Sequence, residues 1–224
     1  MLKTFENLKT RLGSEKRKTV AVALAQDRDV LKAVKQAHDL GLAEAILIGD
    51  SAQLKQLAGE LGFDPGQYEI TDCSDERQAV SEAVGCVRDG RAQVVMKGVC
   101  STSSFLKGIL DKENGLRSGR ILSHLAIFES PFYPKLLFMS DAAMNISPAL
   151  SEKIAITENA ISAAHSLGYD MPKTAILSAV EKVNADGMPS SADAAIIAKM
   201  GERGQIRDAL IDGPLALDNA LSEK

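Results

Sequence analysis

The fold is decided between Thr19 and Ile48, which read TVAVALAQDRDVLKAVKQAHDLGLAEAILI. Residues 19–25 form a short apolar run, which is typical of a buried strand. Residues 27–40 place apolar side chains three and four positions apart, which predicts a helix, and residues 45–48 read as a second buried strand. A strand, a helix and a strand in this order predict two parallel strands joined by a covering helix.

The same alternation continues through the first half of the chain. Helices are predicted over residues 51–61, 75–87 and 101–110, and strands over residues 68–71 and 93–96. This rhythm indicates a parallel sheet with helices on both faces, which is an α/β fold of three α/β/α layers.

The rhythm changes after Gly98. Residues 115–120 read as a charged, glycine-punctuated loop, and the next two strands, over residues 122–128 and 136–139, are joined by a short link bounded by prolines. Such a link suits an antiparallel pair better than a crossover helix. We therefore expect two α/β domains, residues 1–128 and 129–224, with the boundary near Glu129.

The alternation resumes in the second predicted domain. Ser147 is predicted to cap a helix that begins at Pro148 and runs to residue 166. Residues 173–180 and 209–212 read as strands. Ser190 and Asp193 resemble a capping box, which predicts a helix that ends at residue 200.

Composition excludes several classes of protein. Lys and Arg number 26 and Asp and Glu number 30, so the formal charge is −4, which argues against a general nucleic-acid binder. No apolar run approaches the ~20 residues of a membrane helix, and the charged N-terminus does not resemble a secretory signal. The sparse cysteines, Cys73, Cys86 and Cys100, fit a reducing cytoplasm, and neither they nor the isolated histidines form a metal-binding pattern.

The first candidate site follows the fourth predicted strand. Gly98 permits a tight turn, and Ser101 and Thr102 open the next helix, where free N–H groups and the positive end of the helix dipole favour an anion. Lys97 and Lys107 can supply positive charge. The segment matches neither the Walker loop nor G-x-G-x-x-G, and an ordinary N-cap beside a solvated lysine explains it equally well.

A pair of arginines forms the second candidate. Arg117 and Arg120 lie among glycines and can hold a phosphate or a diphosphate, or they belong to a solvated loop. His124 falls inside a predicted apolar strand, where a hydrogen-bonded core histidine is commoner than a catalyst. Cys100 near a helix N-terminus is a conceivable nucleophile, but without a neighbouring base a small buried thiol is the better interpretation.

Polar residues that follow the later predicted strands, or open the next helix, complete the candidates. They are Ser140, Asp141, Asn145, Ser178, Glu181, Pro189, Ser190, Ser191 and Asp212. The stretch from Pro189 to Ser191 offers a second anion site at a helix N-terminus. Turn formation and helix capping explain Asp141 and Asp212 equally well.

Taken together and in order, these segments resemble the phosphate acetyl/butyryltransferases. The resemblance is carried by residues 96–107, 115–129 (GLRSGRILSHLAIFE), 140–148 (SDAAMNISP), 176–184 (ILSAVEKVN), 188–204 (MPSSADAAIIAKMGERG) and 212–222 (DGPLALDNALS). It covers almost the whole chain, which makes it more specific than any single motif. Lys107 stands where acetyl-specific relatives tend to have arginine, so the resemblance leans towards the butyryl branch.

The resemblance implies direct transfer of a short acyl group between coenzyme A and inorganic phosphate, in a cleft between two domains of an isocitrate/isopropylmalate dehydrogenase-like fold. It implies coenzyme A as a substrate, no tightly bound cofactor, no metal, and a cytoplasmic homodimer that handles acyl-CoA, phosphate and acyl phosphate. Ser101, Thr102 and Lys107 are implied as catalytic residues. The implied substrate contacts are Lys97, Gly98, Arg117, Arg120, Ser140, Asn145, Ser178, Pro189, Ser190 and Ser191.

Family members continue past the position of Lys224, with a late G-N-x-x-Y-K motif and a late S-R-x-D motif. The S-R-x-D motif is thought to supply the carboxylate that assists deprotonation of the coenzyme A thiol. The second domain is therefore expected to be incomplete here, and a polypeptide without these motifs is expected to have greatly impaired transferase activity. The alternatives are a phosphate acetyltransferase, a dehydrogenase of the same fold, and a non-catalytic protein that binds coenzyme A or phosphate.

Overall fold

The computed structural model describes residues 2–221, and these fall into two compact units. One unit comprises residues 6–119, and the other comprises residues 120–221 together with residues 2–5. This division lies ahead of the domain boundary expected near Glu129, which stays a prediction. No helix within residues 2–221 is both long enough and apolar enough to cross a bilayer.

The unit of residues 6–119 is built on a four-stranded parallel sheet. Its strands are β1 (Lys18–Ala23), β2 (Ala43–Gly49), β3 (Glu69–Asp72) and β4 (Val94–Lys97), in the order β3-β2-β1-β4. The helices along this part of the chain are α1 (Phe5–Gly13), α2 (Arg28–Asp39), α3 (Ser51–Leu61), α4 (Glu76–Arg88) and α5 (Thr102–Ile109), with a 3-10 turn at Pro65–Gln67. The predicted α/β fold with a parallel sheet is confirmed.

Helices cover both faces of this sheet. On one face, Ala21 and Ala23 of β1 belong to an apolar cluster with Val80 of α4. That cluster also contains all three cysteines, Cys73, Cys86 and Cys100. On the other face, Val22 of β1 packs in a cluster with Leu31 of α2 and Leu54 of α3. Because successive residues of a strand point to opposite faces, burial on both sides explains why β1 is an uninterrupted apolar run.

Four helices of this unit begin at a side-chain cap directly after a strand. The carboxylates of Asp27, Asp50 and Asp75 accept backbone N–H groups of α2, α3 and α4 at 2.8–3.0 Å. The Ser101 hydroxyl does the same for α5 and accepts the N–H of Ser104 at 3.1 Å. Such caps satisfy donors that have no partner inside the helix, which is why the helices start where the sequence predicts them.

The other unit contains two short two-stranded sheets. Strands β5 (Ala126–Phe128) and β6 (Leu137–Met139) are antiparallel, whereas β7 (Lys173–Leu177) and β8 (Leu210–Leu215) are parallel. Its helices are α6 (Leu150–Ser166), α7 (Pro189–Glu202) and α8 (Leu217–Leu221). Ile161 of α6, Ile197 of α7 and Ile206 form its buried apolar cluster together with Ala209.

The predicted start of α6 is wrong. The helix begins at Leu150 rather than at Pro148, and its N-cap is Ala149 rather than Ser147. The Glu152 carboxylate accepts the N–H of Ala149 at 2.7 Å. A carboxylate in the first turn satisfies the free donor and lies favourably in the helix dipole, so the serine two residues earlier is not needed.

The predicted capping box of α7 is also wrong. The helix begins at Pro189, whose fixed φ angle suits the first helical position, and its N-cap, Met188, has no side-chain oxygen to act as a cap. The backbone carbonyl of Met188 instead accepts the N–H of Ser191 at 2.9 Å. Asp193 is not a capping residue, since its carboxylate pairs with Lys153 of α6 at 2.6 Å. The Ser191 hydroxyl instead donates to the carbonyl of Met188 at 2.7 Å.

The strand predicted over residues 122–128 is shorter than expected, and His124 lies outside it. Only Ala126–Phe128 pairs with β6. The segment ahead of it is held by side chains, because Asn159 of α6 donates to the carbonyl of Ile121 and to the hydroxyl of Ser123, both at 3.0 Å. Side-chain hydrogen bonds therefore replace the expected ladder.

Candidate functional site

The turn after β4 packs directly on the end of β1. Gly98 donates its N–H to the carbonyl of Ala23 at 2.9 Å, and Val99 donates to the carbonyl of Leu24 at 3.0 Å. A Cβ atom on Gly98 would lie 2.1 Å from the oxygen of Leu24. The absence of a side chain at Gly98 therefore lets the two strand ends meet and places the start of α5 beside β1.

This meeting point is where an open α/β sheet usually binds its ligand. In the order β3-β2-β1-β4, the chain runs from β1 to β2 and β3 on one side and then crosses back to β4 on the other side of β1. The strand order therefore reverses between β1 and β4, and the carboxyl ends of these two strands flank the crevice at that point. The first turn of α5 lies at this edge, which is the position predicted for the anion site.

Ser101 at the start of α5 is hydrogen-bonded to a carboxylate that the sequence did not indicate. Its hydroxyl donates to Oε1 of Glu76 at 2.8 Å, and the Ser104 hydroxyl lies 3.0 Å from Ser101 Oγ. Glu76 is the first residue of α4 and is half-buried. Hydrogen bonds from the Ser104 and Ser101 hydroxyls hold the pKa of Glu76 below its usual value, so this carboxylate is ionised at neutral pH.

The other predicted residues of this segment lie at different points along α5. Thr102 is exposed in its first turn, next to Ser101. Lys97 ends β4, is exposed, and donates to the carbonyl of Gly98 at 3.3 Å. Lys107 lies in the last turn of α5, about 7.5 Å along the helix axis from Thr102, and its role beside Ser101 stays a prediction.

Cys100 is a buried thiol rather than an exposed nucleophile. Its side chain is 1% exposed and belongs to the apolar cluster beside α4. Burial raises the pKa of the Cys100 thiol, which keeps it protonated at neutral pH. The thiolate is the reactive form, so these surroundings favour the packing role that the sequence analysis preferred.

Arg117 and Arg120 are both exposed, and neither guanidinium forms an ion pair with the part of the chain that the structure describes. An arginine without a carboxylate partner keeps its donor groups available for an external anion. The structure is therefore compatible with the predicted role of these two residues, which stays a prediction.

In the other unit, Asp141 organises the segment after β6. Its Oδ1 accepts the N–H groups of Ala143 at 3.1 Å and Met144 at 2.9 Å, and its Oδ2 accepts the N–H of His124 at 3.2 Å and the amide of Asn145 at 2.5 Å. Burial raises the pKa of Asp141, but these four hydrogen bonds outweigh it and lower the pKa to about 2.

Ser140 and Asn145 serve the same connection. The Ser140 hydroxyl donates to the carbonyl of His124 at 2.7 Å, and the Asn145 amide also donates to the carbonyl of Leu122 at 3.1 Å. Ser140 also lines a cavity of about 350 Å³ beside α6, together with Asn159. The hydrogen-bonding groups of both predicted residues thus hold the loop in place, and their contact with a substrate stays a prediction.

Of the candidate residues around α7, Glu181 lines a second cavity, whereas Ser178, Ser190 and Ser191 form hydrogen bonds beside it. Ser178 Oγ lies 3.3 Å from Ser190 Oγ, whereas Ser191 is fully buried and its hydroxyl accepts the N–H of Asn184 at 2.8 Å. A cavity of about 440 Å³ lies beside them and is lined by Ala179, Val180, Glu181, Lys182, Asn184 and Ala216. Ser191 therefore holds the loop at Asn184. Ser178 and Ser190 are partly exposed, whereas Ser191 is not.

Within residues 2–221, no group of three or more His, Cys, Asp or Glu side chains is arranged to hold a metal ion. The sequence analysis missed Glu76, Asn159 and Asn184. Glu76 meets Ser101 across 25 positions of sequence, and Asn159 meets Ile121 across 38, so no local pattern signals either contact. Asn184 is the last residue of a segment that carried the resemblance, and no role was predicted for it.

These features define an α/β protein with the fold of the phosphotransacylases. The structure of a branched-chain phosphotransacylase from Enterococcus faecalis V583 superposes with a TM-score of 0.76 at 34% sequence identity, over 90% of this chain and 69% of that one. The family described as phosphate acetyl/butaryl transferase matches residues 3–84 and 76–224. This chain belongs to that family, as the resemblance in its motifs predicted.

Two relatives are similar over its whole length. The phosphate butyryltransferases of Clostridium beijerinckii and Clostridium acetobutylicum are each 45% identical over 224 residues, which is 100% of this chain and 74% of each relative. The similarity therefore includes every segment that carries a candidate residue.

Proposed function

We propose that this protein transfers a butyryl group between coenzyme A and inorganic phosphate, so that butyryl-CoA and phosphate give butyryl phosphate and coenzyme A. The observation that carries the proposal is the 45% identity to two phosphate butyryltransferases along the entire chain. The site adds support, because the hydroxyls of Ser101 and Thr102 and the start of α5 lie together at the sheet edge where a ligand is expected.

The reaction balances without a covalent enzyme intermediate. A phosphate oxygen attacks the thioester carbon, the carbonyl becomes a tetrahedral oxyanion, the carbon–sulfur bond breaks, and coenzyme A leaves as a thiolate that takes up a proton. Catalysis then depends on positioning the phosphate and stabilising negative charge. Thr102 would donate a hydrogen bond to phosphate, and the Ser101 hydroxyl would do so on turning away from Glu76, to which it donates in the structure. Lys97 and Arg117 would supply positive charge.

The proposal includes the finer features implied by the family. They are a two-domain, isocitrate/isopropylmalate dehydrogenase-like arrangement with the site in a cleft, a homodimer, and a place in short-chain fatty acid metabolism. Coenzyme A would be a substrate rather than a bound cofactor. A cytoplasmic location is supported by the three free cysteines, Cys73, Cys86 and Cys100, since thiols persist in reducing compartments.

Thr102→Ala and Arg117→Ala are expected to raise the KM for phosphate, because each removes a donor to the anion. A hydrogen bond involving a charged group contributes about 1.5–3 kcal/mol, so Arg117→Ala should raise this KM roughly tenfold or more. Steady-state kinetics with varied phosphate at saturating butyryl-CoA measures the change. Arg203→Ala is the matched control, since Arg203 is also exposed but lies at the end of α7. Unchanged kinetics in both variants would reject the assignment of the phosphate site.

The same assay separates the alternatives. Faster turnover of butyryl-CoA than of acetyl-CoA supports the proposal, whereas the reverse preference supports a phosphate acetyltransferase. Binding of coenzyme A without any acyl transfer would indicate a non-catalytic relative. Turnover that requires a nicotinamide cofactor would indicate a dehydrogenase.

Cys100→Ala is expected to keep its activity within ~2-fold of the wild type, because direct transfer needs no enzyme thiol. The substitution removes one buried sulfur, so a loss of about 1 kcal/mol in the free energy of unfolding is expected. Cys86→Ala is the matched control, since Cys86 is buried in the same cluster at 3% exposure. Loss of activity in Cys100→Ala alone would point to a covalent route.

A further inference from the structure

A carboxylate of α4 contacts the start of α5, where the proposed function requires an anion to bind. Glu76 accepts the hydroxyl of Ser101 at 2.8 Å, and Ser101 is one of the residues that would contact phosphate. The hydroxyl of Ser104 lies 3.0 Å from that of Ser101. A bare anion bound at these hydroxyls would lie against the negative charge of Glu76.

The contacts of Glu76 leave part of its accepting capacity unused. The hydroxyl of Ser101 donates to one carboxylate oxygen, Oε1, at 2.8 Å. An ionised carboxylate has about four lone-pair sites, so this donor does not exhaust its capacity to accept hydrogen bonds. The group can therefore accept one more hydrogen bond, but it cannot donate any.

The positive charges near Glu76 are local. Lys97, at the end of β4, is close enough to stabilise the ionised form of the carboxylate. The N-terminus of α5 adds a partial positive charge. Lys97 and the helix N-terminus thus attract an anion at this site, and the charge of Glu76 repels it. The Glu76 carboxylate can also accept a hydrogen bond from an anion that carries a proton.

Phosphate and sulfate respond differently to such an arrangement. At neutral pH inorganic phosphate retains at least one proton, which a carboxylate can accept as a charge-assisted hydrogen bond. Sulfate has the same shape and a similar charge, but it carries no proton, so its oxygens would face an ionised carboxylate with no hydrogen between them. Repulsion between like charges at hydrogen-bond distance is then uncompensated.

We infer that Glu76 is a specificity-determining residue that selects protonated tetrahedral oxyanions, phosphate and arsenate, over sulfate. The inference rests on the proposed function, because it takes phosphate to bind at Ser101 and Thr102.

The test is calorimetric titration of the purified protein with inorganic phosphate and, separately, with inorganic sulfate at neutral pH. The wild type should bind phosphate at least ~10-fold more tightly than sulfate, and Glu76→Gln should reduce this ratio roughly tenfold, because the amide can donate to either anion. Sulfate should also become a stronger competitive inhibitor against phosphate in the variant.

Glu82→Gln is the matched control. Glu82 lies on the same helix, is exposed, and loses the same charge on substitution. It should leave the phosphate-to-sulfate ratio unchanged. If Glu76 only fixes the Ser101 hydroxyl for the helix cap, Glu76→Gln should weaken both anions equally, which would contradict the inference.

Two further outcomes are decisive. Equal binding of phosphate and sulfate by the wild type, or binding of neither, overturns the inference without any variant. A strong preference for phosphate that depends on Glu76, in a protein that transfers no butyryl group, supports the inference about the anion site but rejects the proposed reaction.

Discussion

Gly98→Ala is expected to lower the free energy of unfolding by about 3 kcal/mol, because a new methyl group would collide with backbone atoms that have no free direction to move. Its Cβ would lie 2.1 Å from the oxygen of Leu24 and 2.7 Å from the oxygen of Ala23. The chain can relieve this contact only by separating the ends of β1 and β4. That movement would also displace Ser101 and the start of α5, so the activity should fall with the stability. Urea unfolding followed by circular dichroism measures the change.

Gly59→Ala provides the matched control for this substitution. Gly59 lies inside α3, and a Cβ there would meet no atom within 4 Å. Alanine is the better helix former, so this variant should gain about 0.5–1 kcal/mol. A loss below about 1 kcal/mol in Gly98→Ala would mean that the two strand ends tolerate a wider spacing, which would contradict the packing argument.

Asp141→Ala is expected to lower the free energy of unfolding by about 3 kcal/mol, because it removes a charged acceptor and leaves several donors without partners. Asp141 accepts the N–H groups of His124, Ala143 and Met144 and the amide of Asn145. These bonds join the loop after β6 to the segment before β5. Chemical denaturation at neutral pH measures the loss.

The pH dependence of this effect follows from the lowered pKa of Asp141. Its folded-state value is about 2 against an ordinary value of 3.8, so the ionised carboxylate stabilises the fold above pH 3.8 by about 2 kcal/mol. This contribution is lost as the pH falls from about 4 towards 2, because the folded carboxylate then becomes protonated. The difference in stability between the wild type and Asp141→Ala should therefore narrow in that range.

Asp111→Ala is the control that compares the Asp141 network with an aspartate that caps a single turn. Asp111 accepts the N–H groups of Glu113 and Asn114 at 3.0 and 2.7 Å, but it is exposed and joins no second segment. We expect it to cost about 1 kcal/mol, as a capping aspartate does. Equal losses in the two variants would show that the contact with His124 contributes nothing.

Local sequence signals predicted most of the unit of residues 6–119. Each of β1, β2 and β4 contains an apolar run. The helices after the first three strands are capped by Asp27, Asp50 and Asp75. The physical causes act within a few residues of one another, since caps, helical periodicity and strand burial are all visible in a short window.

Predictions failed where two candidates for the same task competed. Ser147 and Ser190 are good capping residues, but Glu152 satisfies the amide ahead of α6, and α7 begins one residue before Ser190, which places this serine inside the helix. The propensity of a residue to cap a helix does not show which neighbouring side chain will accept the free backbone N–H at the helix start. Only the three-dimensional positions of the side chains decide that.

The sequence predicted only those residues of the candidate site that lie close together along the chain. Gly98, Ser101 and Thr102 follow one strand and could be found from one segment. Glu76 reaches Ser101 from another helix, and Asp141 reaches His124 from another strand, so these contacts depend on the fold as a whole. Carboxylates next to serines are too common in sequences for such pairs to be recognised without the structure.

All three thiols are buried in one apolar cluster, so their reactivity can be used to measure local unfolding of that cluster. Cys73, Cys86 and Cys100 are between 1% and 7% exposed and belong to the same apolar cluster, to which α4 contributes Cys86 itself. A thiol-specific reagent can reach them only when that cluster opens. The rate at which the native protein takes up such a label therefore measures how often α4 lifts away, and a ligand that tightens the start of α5 should slow that labelling.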